Sequence, residues 1–198
     1  MTFWRILVSM RPRQWTKNLV LFAGIVFSRH LFERGLLLRS CWAFCVFCVI
    51  SGCAYILNDI LDRRRDAGHP GKKKRPISAG LLSPRDALTV AVPLLAAALA
   101  GAALLGRGFF AVSAIFVAIN VAYSTVLRQV VILDVIAISF NFLLRAWGGV
   151  AVLHPILPGL AISPWLLICT LFSRSSSVSA SGETRSNTSR ARTSTGSP

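Results

Sequence analysis

Three of the seven acidic residues in this 198-residue chain fall in one stretch, Asn58-Asp59-Ile60-Leu61-Asp62-Arg63-Arg64-Arg65-Asp66. If the apolar helix before this stretch continues through it, the three aspartates are spaced i, i+3 and i+7 and point to one side. Asn58 flanks that face, whereas the arginines at 64 and 65 point away from it. Mg²⁺ prefers oxygen ligands and uses one or two carboxylates together with substrate phosphates. The stretch therefore predicts a Mg²⁺ site; the alternative is a solvated charged helix end beside a membrane.

The composition around this stretch indicates an integral membrane protein. Hydrophobic residues make up 54% of the chain, charged residues only 15%, and the mean hydropathy is +0.62. A soluble domain has about 25% charged residues. The net charge of +15 could indicate nucleic acid binding. However, the basic residues cluster between apolar runs, as the positive-inside rule describes. We therefore expect no nucleic acid partner.

The apolar runs predict an all-α, multi-pass transmembrane helical bundle. A helix needs about 20 residues to span a bilayer. Residues 2–10 could lie along the interface. We expect five complete spans and part of a sixth, with Arg39 in the second span extending to the outer interface; the approximate ranges are 14–32, 35–57, 87–105, 109–127, 130–152 and 160–172. The third span is rich in small residues, which allow close helix contact in lipid.

The polar loop between the second and third spans fixes the predicted orientation. Residues 62–85 hold eight basic residues, so this loop is expected to be cytoplasmic, with the N-terminus and Arg128 on the same side. Residues 29–34, Arg107 and His154 are then expected on the outer side. The expected location is the inner (plasma) membrane, with the active site on its cytoplasmic side.

Ionisable residues inside the predicted spans are candidate functional residues, because such residues are costly in lipid. Lys17 lies in the first turn of the first span and either snorkels to the interface or reaches inward to an anion. Asp134, Asn141 and Arg145 are spaced by seven and four residues and form one polar face on the fifth span. That face is either a structural ladder between helices or a surface that contacts substrate.

The cysteines of the second span, at positions 41, 45, 48 and 53, are interpreted as packing residues. Cys45 and Cys48 form a CxxC pair, but it lies in the middle of a span with no second pair or histidine nearby. This context argues against a zinc or redox site.

The chain changes character at Ser173. From there to Pro198, 14 of 26 residues are Ser or Thr and four are Arg, which predicts a disordered tail. The sixth apolar run has only 13 residues before it. We therefore divide the chain into a transmembrane domain, 1–172, and a tail, 173–198, and expect a truncation or shifted reading frame near Phe172; a short re-entrant helix is the alternative.

The motif Asn58-x-x-x-Asp62-x-x-x-Asp66 resembles the first aspartate motif of the UbiA prenyltransferase superfamily. Asp59 and the following segment, with His69-Pro70, Lys72 and Arg75-Pro76, fit the same pattern.

Three further segments resemble one branch of that superfamily, the decaprenyl-phosphate phosphoribosyltransferases of cell-wall arabinan synthesis. They are Arg11-Pro12-Arg13-Gln14-Trp15-Thr16-Lys17-Asn18, Tyr123-Ser124-x-x-Leu127-Arg128 followed by Asp134, and Phe142-Leu143-Leu144-Arg145-Ala146. The resemblance covers about residues 8 to 172.

The resemblance implies a Mg²⁺-dependent transfer with loss of pyrophosphate. The donor would be phosphoribosyl pyrophosphate, and the acceptor a polyprenyl (decaprenyl) phosphate whose lipid tail lies between helices. The metal ligands would be Asn58, Asp59, Asp62 and Asp66. The three aspartates among them would also be the catalytic residues. Phosphate contacts would come from Lys17, Lys72, Arg75 and Arg128, and further substrate contacts from Tyr123, Asp134 and Arg145.

Two other functions stay open from the sequence. One is an aromatic prenyltransferase of the same superfamily, with a polyprenyl diphosphate donor; the other is a non-catalytic membrane protein fragment. The superfamily has about nine helices and a later cytoplasmic motif. The chain as written is therefore expected to be inactive, and its oligomeric state is left open.

Overall fold

The computed structural model of the chain describes residues 2–125 and 131–160, and this part contains helices and connecting turns without strands. The elements in chain order are α1 (Thr2–Ser9), a 3₁₀ helix (Pro12–Phe22), α2 (Ala23–Phe27), α3 (Arg34–Ala67), α4 (Pro84–Leu105), α5 (Arg107–Thr125) and α6 (Val131–Ala151). The predicted all-α class is confirmed. The short apolar run at 161–172 and the predicted tail at 173–198 lie outside the described residues.

Three of these helices, α3, α4 and α5, are long and apolar enough to cross a membrane. The second to fifth predicted spans correspond to α3 through α6. Between α4 and α5 the chain turns at Gly106, whose φ of +128° favours glycine, and α5 begins at the next residue. The fold is therefore a multi-pass transmembrane helical bundle.

The first predicted span was wrong as a single α-helix. Residues 12–22 form a 3₁₀ helix, and α2 adds only five α-helical residues before the chain turns. The buried residues Asn18, Leu21 and Gly24 recur every three positions, which matches the three residues per turn of a 3₁₀ helix. This segment packs against α3 and α6.

Helix α3 is the longest element and carries the aspartates. Its 34 residues extend about 50 Å, more than the roughly 30 Å of a hydrocarbon core. No glycine or proline interrupts the helix between Cys53 and Ala67, and it ends at Gly68. The aspartate stretch is therefore the continuation of a membrane-spanning helix.

Helix α4 begins with a Ser83 cap, whose hydroxyl oxygen accepts a hydrogen bond from the backbone N–H of Arg85. Small residues on one face of α4 are buried against the bundle: Ala87, Ala91, Ala98 and Ala102. The expected close packing of small residues is present on that face, whereas Ala96, Ala97 and Ala100 are exposed.

At the end of the bundle opposite the aspartates, Arg39 of α3 links three helices through hydrogen bonds. Its Nε donates to the carbonyl oxygen of Val152 at 2.7 Å, and its Nη2 donates to the carbonyl oxygen of Leu105. The expectation that Arg39 only extends to the interface was therefore incomplete, because it also binds carbonyls at the ends of α4 and α6. Below it, the rings of Phe47, Phe109 and Phe116 form an aromatic core.

The cysteines of α3 are free thiols in the described part of the chain. Cys48 and Cys53 are buried and pack as predicted. Cys41 and Cys45 lie on the exposed surface, so the packing interpretation was wrong for those two.

Candidate functional site

The three aspartates share one buried face of α3, as their spacing predicts. Asp59 is 1% exposed, Asp62 9% and Asp66 0%. The arginines at 64 and 65 are exposed on the other side. The helix therefore brings three carboxylates to one internal surface.

Basic residues from two distant segments contact these carboxylates. Arg75 Nη1 lies 3.1 Å from Asp59 Oδ1 and also binds Asp66 Oδ2, and Lys72 Nζ lies 3.8 Å from Asp66 Oδ1. The guanidinium of Arg11 donates to Asp59 Oδ1 as well and packs over a tyrosine ring of α3. Lys72 and Arg75, predicted to bind phosphate, thus pair with the carboxylates in this structure.

The aspartates have the donor chemistry that Mg²⁺ requires. Asp59 and Asp66 converge on a single cationic nitrogen of Arg75, and Asp66 Oδ1 is buried without a hydrogen bond. Mg²⁺ can be bound by one or two carboxylates with substrate phosphates completing its shell. Within the described ranges, no three His, Cys, Asp or Glu side chains form a group that could hold a metal ion. Asp59 and Asp66, which meet at Arg75, offer two carboxylates for this mode of binding.

A cavity of about 200 Å³ lies next to Asn58, the residue before Asp59 on α3; the aspartates themselves are not among its lining residues. Its polar lining includes four residues predicted to bind substrate or metal, Lys17, Asn58, Tyr123 and Arg145, which come from four different helices. Further lining residues are Ser51, Ala54, Tyr55, Phe116, Asn120, Asn141 and Phe142. The structure therefore brings together side chains that are up to 128 positions apart.

A hydrogen-bond network supports the polar wall of this cavity. Arg145 is buried; its Nε donates to Asn18 Oδ1 and its Nη1 to the carbonyl oxygen of Asn141, both at 2.8 Å. Asn120 Nδ2 donates to Asn141 Oδ1 at 2.7 Å. The guanidinium of Arg145 also lies 4.9 Å from the ring centre of Phe116. Asn141 and Arg145 therefore belong to a ladder between helices and also line the cavity.

Asn58 connects the aspartate face to the cavity. Its side-chain oxygen accepts a hydrogen bond from the hydroxyl of Ser124, and that hydroxyl also contacts the carbonyl oxygen of Asn120 at 2.7 Å. The predicted Tyr123-Ser124 motif thus lies at the cavity because the last turn of α5 is next to Asn58 of α3.

A second, apolar cavity of about 100 Å³ lies between α3, α4 and α5. Ala54 and Asn120 line both cavities, so the polar and apolar cavities adjoin. The apolar walls come from Ile50, Cys53, Leu57, Leu88, Ala91, Val92, Leu95, Val117 and Val121.

Two predicted site residues cannot be placed. Arg128 lies outside the described residues, and Asp134 is on α6, but its side chain is not described. Sequence reasoning missed Arg11 and Asn18 as site residues, although both belong to the stretch 11–18 whose resemblance it used. It also missed Asn120, whose position three residues before Tyr123 was a usable signal.

The helical bundle and its aspartate site agree with the family that sequence comparison identifies. The model of the UbiA prenyltransferase family matches residues 18–178. The chain belongs to this family, and it is an integral membrane protein of the UbiA transferase type.

Individual relatives make the similarity more specific. The decaprenyl-phosphate phosphoribosyltransferase of Mycobacterium tuberculosis is 32% identical over 173 residues, covering 84% of this chain and 55% of the relative. An uncharacterised protein y4nM of Sinorhizobium fredii is 34% identical over 160 residues, covering 81% of the chain and 30% of that protein. The chain thus spans about half or less of the length of these relatives.

A solved structure shows the same fold. A UbiA homologue from Archaeoglobus fulgidus bound to GPP and Mg²⁺ superposes with a TM-score of 0.70 at 22% identity, covering 86% of this chain and 59% of that one.

Proposed function

We propose that the protein transfers a phosphoribosyl group from phosphoribosyl pyrophosphate to a polyprenyl phosphate. The observation that carries this proposal is the polar cavity next to Asn58. Its amide, hydroxyl and cationic side chains can exchange their contacts within the protein for contacts with the hydroxyl and phosphate groups of a sugar phosphate, which a prenyl chain does not offer. The name of the mycobacterial relative, a decaprenyl-phosphate phosphoribosyltransferase, supports transfer of a phosphoribosyl group to a polyprenyl phosphate.

The proposed reaction forms one bond and breaks one. A phosphate oxygen of the acceptor attacks the anomeric carbon of the ribose. The carbon–oxygen bond to pyrophosphate breaks, and its electron pair leaves on the pyrophosphate. Lys17 and Arg145 line the cavity and could orient the ribose phosphate, Lys as a point charge and Arg as a planar fork.

Asp59 and Asp66, with Asp62 and Asn58 beside them, are proposed to hold Mg²⁺ with the diphosphate of the donor. When bound, the ion would neutralise negative charge that develops on the leaving group. Lys72 and Arg75 are proposed to contact the same diphosphate, because both already lie at these carboxylates. Tyr123, which lines the cavity, remains a proposed substrate contact, and Arg128 and Asp134 remain contacts proposed from the sequence.

The apolar cavity supports a lipid acceptor. It adjoins the polar cavity through Ala54 and Asn120, so an amphiphile could place its phosphate in one and the start of its chain in the other. We propose that this end of the bundle faces the cytoplasm from the inner membrane, because the basic loop after α3 is next to the site.

Transfer assays with each donor class test the proposal. Membranes containing the protein are given labelled phosphoribosyl pyrophosphate with polyprenyl phosphate, or labelled polyprenyl diphosphate with an aromatic acceptor. Because turnover belongs to the whole protein, the same pairs are run with a chain extended by the remaining helices of a relative. Product from the first pair supports the proposal, whereas product from the second pair alone favours the aromatic prenyltransferase.

A further inference from the structure

A groove of about 450 Å³ lies on the outside of the bundle, between the end of α3 and the turn that leads into α4. It is separate from both cavities described above. The groove has a basic side formed by Arg63 and Arg64, hydroxyl groups from Ser78 and Ser83, and apolar walls that include Ile77 and Leu82. This combination suits a ligand with an anionic head next to apolar carbons.

The positive charge of the groove is not neutralised within the described part of the chain. Arg63 and Arg64 are exposed and form no ion pair or hydrogen bond there. The nearest carboxylates along α3, those of Asp62 and Asp66, lie on the opposite, buried face, where Asp66 binds Arg75 and Lys72. The hydroxyl oxygen of Ser78 is buried without a hydrogen-bond partner.

Helix α1 indicates the depth of the groove in the bilayer. Ile6 of α1 and Met10, which follows this helix, pack in the same apolar cluster as Ile77 and Leu82, which line the groove. Arg5 Nη1 also donates to the carbonyl oxygen of Leu81 at 2.5 Å.

The other face of α1 is strongly apolar and uncovered. Phe3 is 78% exposed and Trp4 67% exposed. Exposed aromatic residues on a short amphipathic helix are typical of the membrane interface. Because α1 packs against the groove wall, the groove lies near the level of the lipid head groups.

We propose that this groove binds the head group of an anionic phospholipid from the leaflet on the same side as the 68–83 loop. The two guanidinium groups bind the phosphate, for which their planar fork is suited, and Ser78 or Ser83 donates a further hydrogen bond. The first carbons of the acyl chains contact Ile77 and Leu82. Basic residues next to a membrane favour anionic lipids in general, and the groove adds a defined site to that attraction.

Native mass spectrometry of the purified full chain tests this proposal. The protein in neutral detergent is titrated with phosphatidylglycerol or with phosphatidylcholine of the same acyl chains, and bound lipids are counted. We expect one phosphatidylglycerol to bind preferentially. The double variant Arg63→Gln/Arg64→Gln should weaken that binding by about thirty-fold, because each basic residue near an anionic surface contributes a factor of about five.

The chain provides a matched control. Lys73→Gln/Lys74→Gln removes the same amount of charge from two exposed residues in the loop after α3, neither of which lines the groove. It should retain the preferential binding, and Arg63→Lys/Arg64→Lys should restore part of it. Equal losses in the two glutamine variants would show diffuse attraction and overturn the site, as would no loss in either variant.

A competitor distinguishes a lipid from a free phosphate. Glycerol 3-phosphate has the anionic head without acyl chains, and we expect it not to displace phosphatidylglycerol at a matched concentration. Equal binding of glycerol 3-phosphate would assign the groove to a soluble phosphate and overturn the lipid proposal. Melting temperatures of all variants in the same detergent verify that each is folded.

Discussion

Arg75 shows how the site keeps buried carboxylates stable without a ligand. A buried charge without a partner is strongly destabilising. Arg75 binds both Asp59 and Asp66, and Arg11 adds a second cation at Asp59, so both carboxylates are neutralised. In the proposed function, a Mg²⁺–diphosphate complex supplies a cation for the carboxylates and an anion for the basic side chains. We expect the basic groups then to turn from carboxylate to phosphate.

The substitution Asp62→Asn tests the aspartate face with little change of shape. In an assay of a catalytically competent chain, we expect the transfer rate to fall by about 10²–10³-fold, as for the loss of other electrostatic contacts in a transition state. Asp86→Asn is the control, because Asp86 is exposed in the first turn of α4. Unchanged transfer rates in Asp62→Asn would show that the aspartates form only a charged helix end without a catalytic role.

At the residue scale, the sequence predicted which side chains share one face of a helix, because the helical repeat determines this. The spacing of the aspartates determines their common face once the helix is continuous. The contact of Arg11 with Asp59 joins residues 48 positions apart and depends on a left-handed turn, with a φ of 53° at Arg11. No local pattern encodes that turn, because it depends on how the 3₁₀ helix docks against α3.

The packing of the 3₁₀ helix against α6 depends on glycine at the element scale. A Cβ atom at Gly149 would lie 2.1 Å from the carbonyl oxygen of Leu21, and one at Gly24 would lie 2.6 Å from the carbonyl oxygen of Gly149. The two backbones therefore touch without intervening side chains, which positions Asn18 to accept the hydrogen bond from Arg145.

The variant Gly149→Ala should destabilise the protein, because backbone atoms cannot yield as the end of a flexible side chain can. Overpacking typically costs about 1–3 kcal/mol, and a backbone clash is expected at or above the upper end. Thermal unfolding in detergent measures the effect. Gly35→Ala serves as the control, since a Cβ there meets nothing within 4 Å. Equal melting temperatures for the two variants would contradict this packing.

Hydropathy predicted which segments are apolar but not their backbone geometry. The range 14–32 was long enough for an α-helix, and nothing in its composition distinguishes an α-helix from a 3₁₀ helix. The difference arises from tertiary contacts of Asn18, Leu21 and Gly24 with α3 and α6. The predicted spans 35–57, 87–105 and 109–127 overlap α3, α4 and α5 because apolar composition marks the membrane-spanning part of each helix. Helix α3 continues ten residues beyond the predicted span, through the aspartates to Ala67.

At the scale of the whole molecule, the orientation in the membrane is still a prediction. In a background without the five cysteines of the chain, Lys73→Cys should be protected from an impermeant maleimide added to intact cells, and Arg107→Cys should be labelled. Permeabilised cells, in which both positions should react, provide the control. The reverse pattern would place the aspartates on the outer side and remove the basis for a cytoplasmic donor.

Donor binding at the aspartate face can be measured on this chain separately from turnover. Equilibrium binding of phosphoribosyl pyrophosphate and of GPP, each with and without Mg²⁺, tests the central claim that the polar cavity recognises a metal-bound sugar diphosphate. We predict at least about tenfold tighter binding of phosphoribosyl pyrophosphate, corresponding to about 1.4 kcal/mol. This binding should depend on Mg²⁺ and be lost in Asp62→Asn. Tighter binding of GPP, or binding of phosphoribosyl pyrophosphate that is unaffected by Mg²⁺ and by Asp62→Asn, would contradict the account.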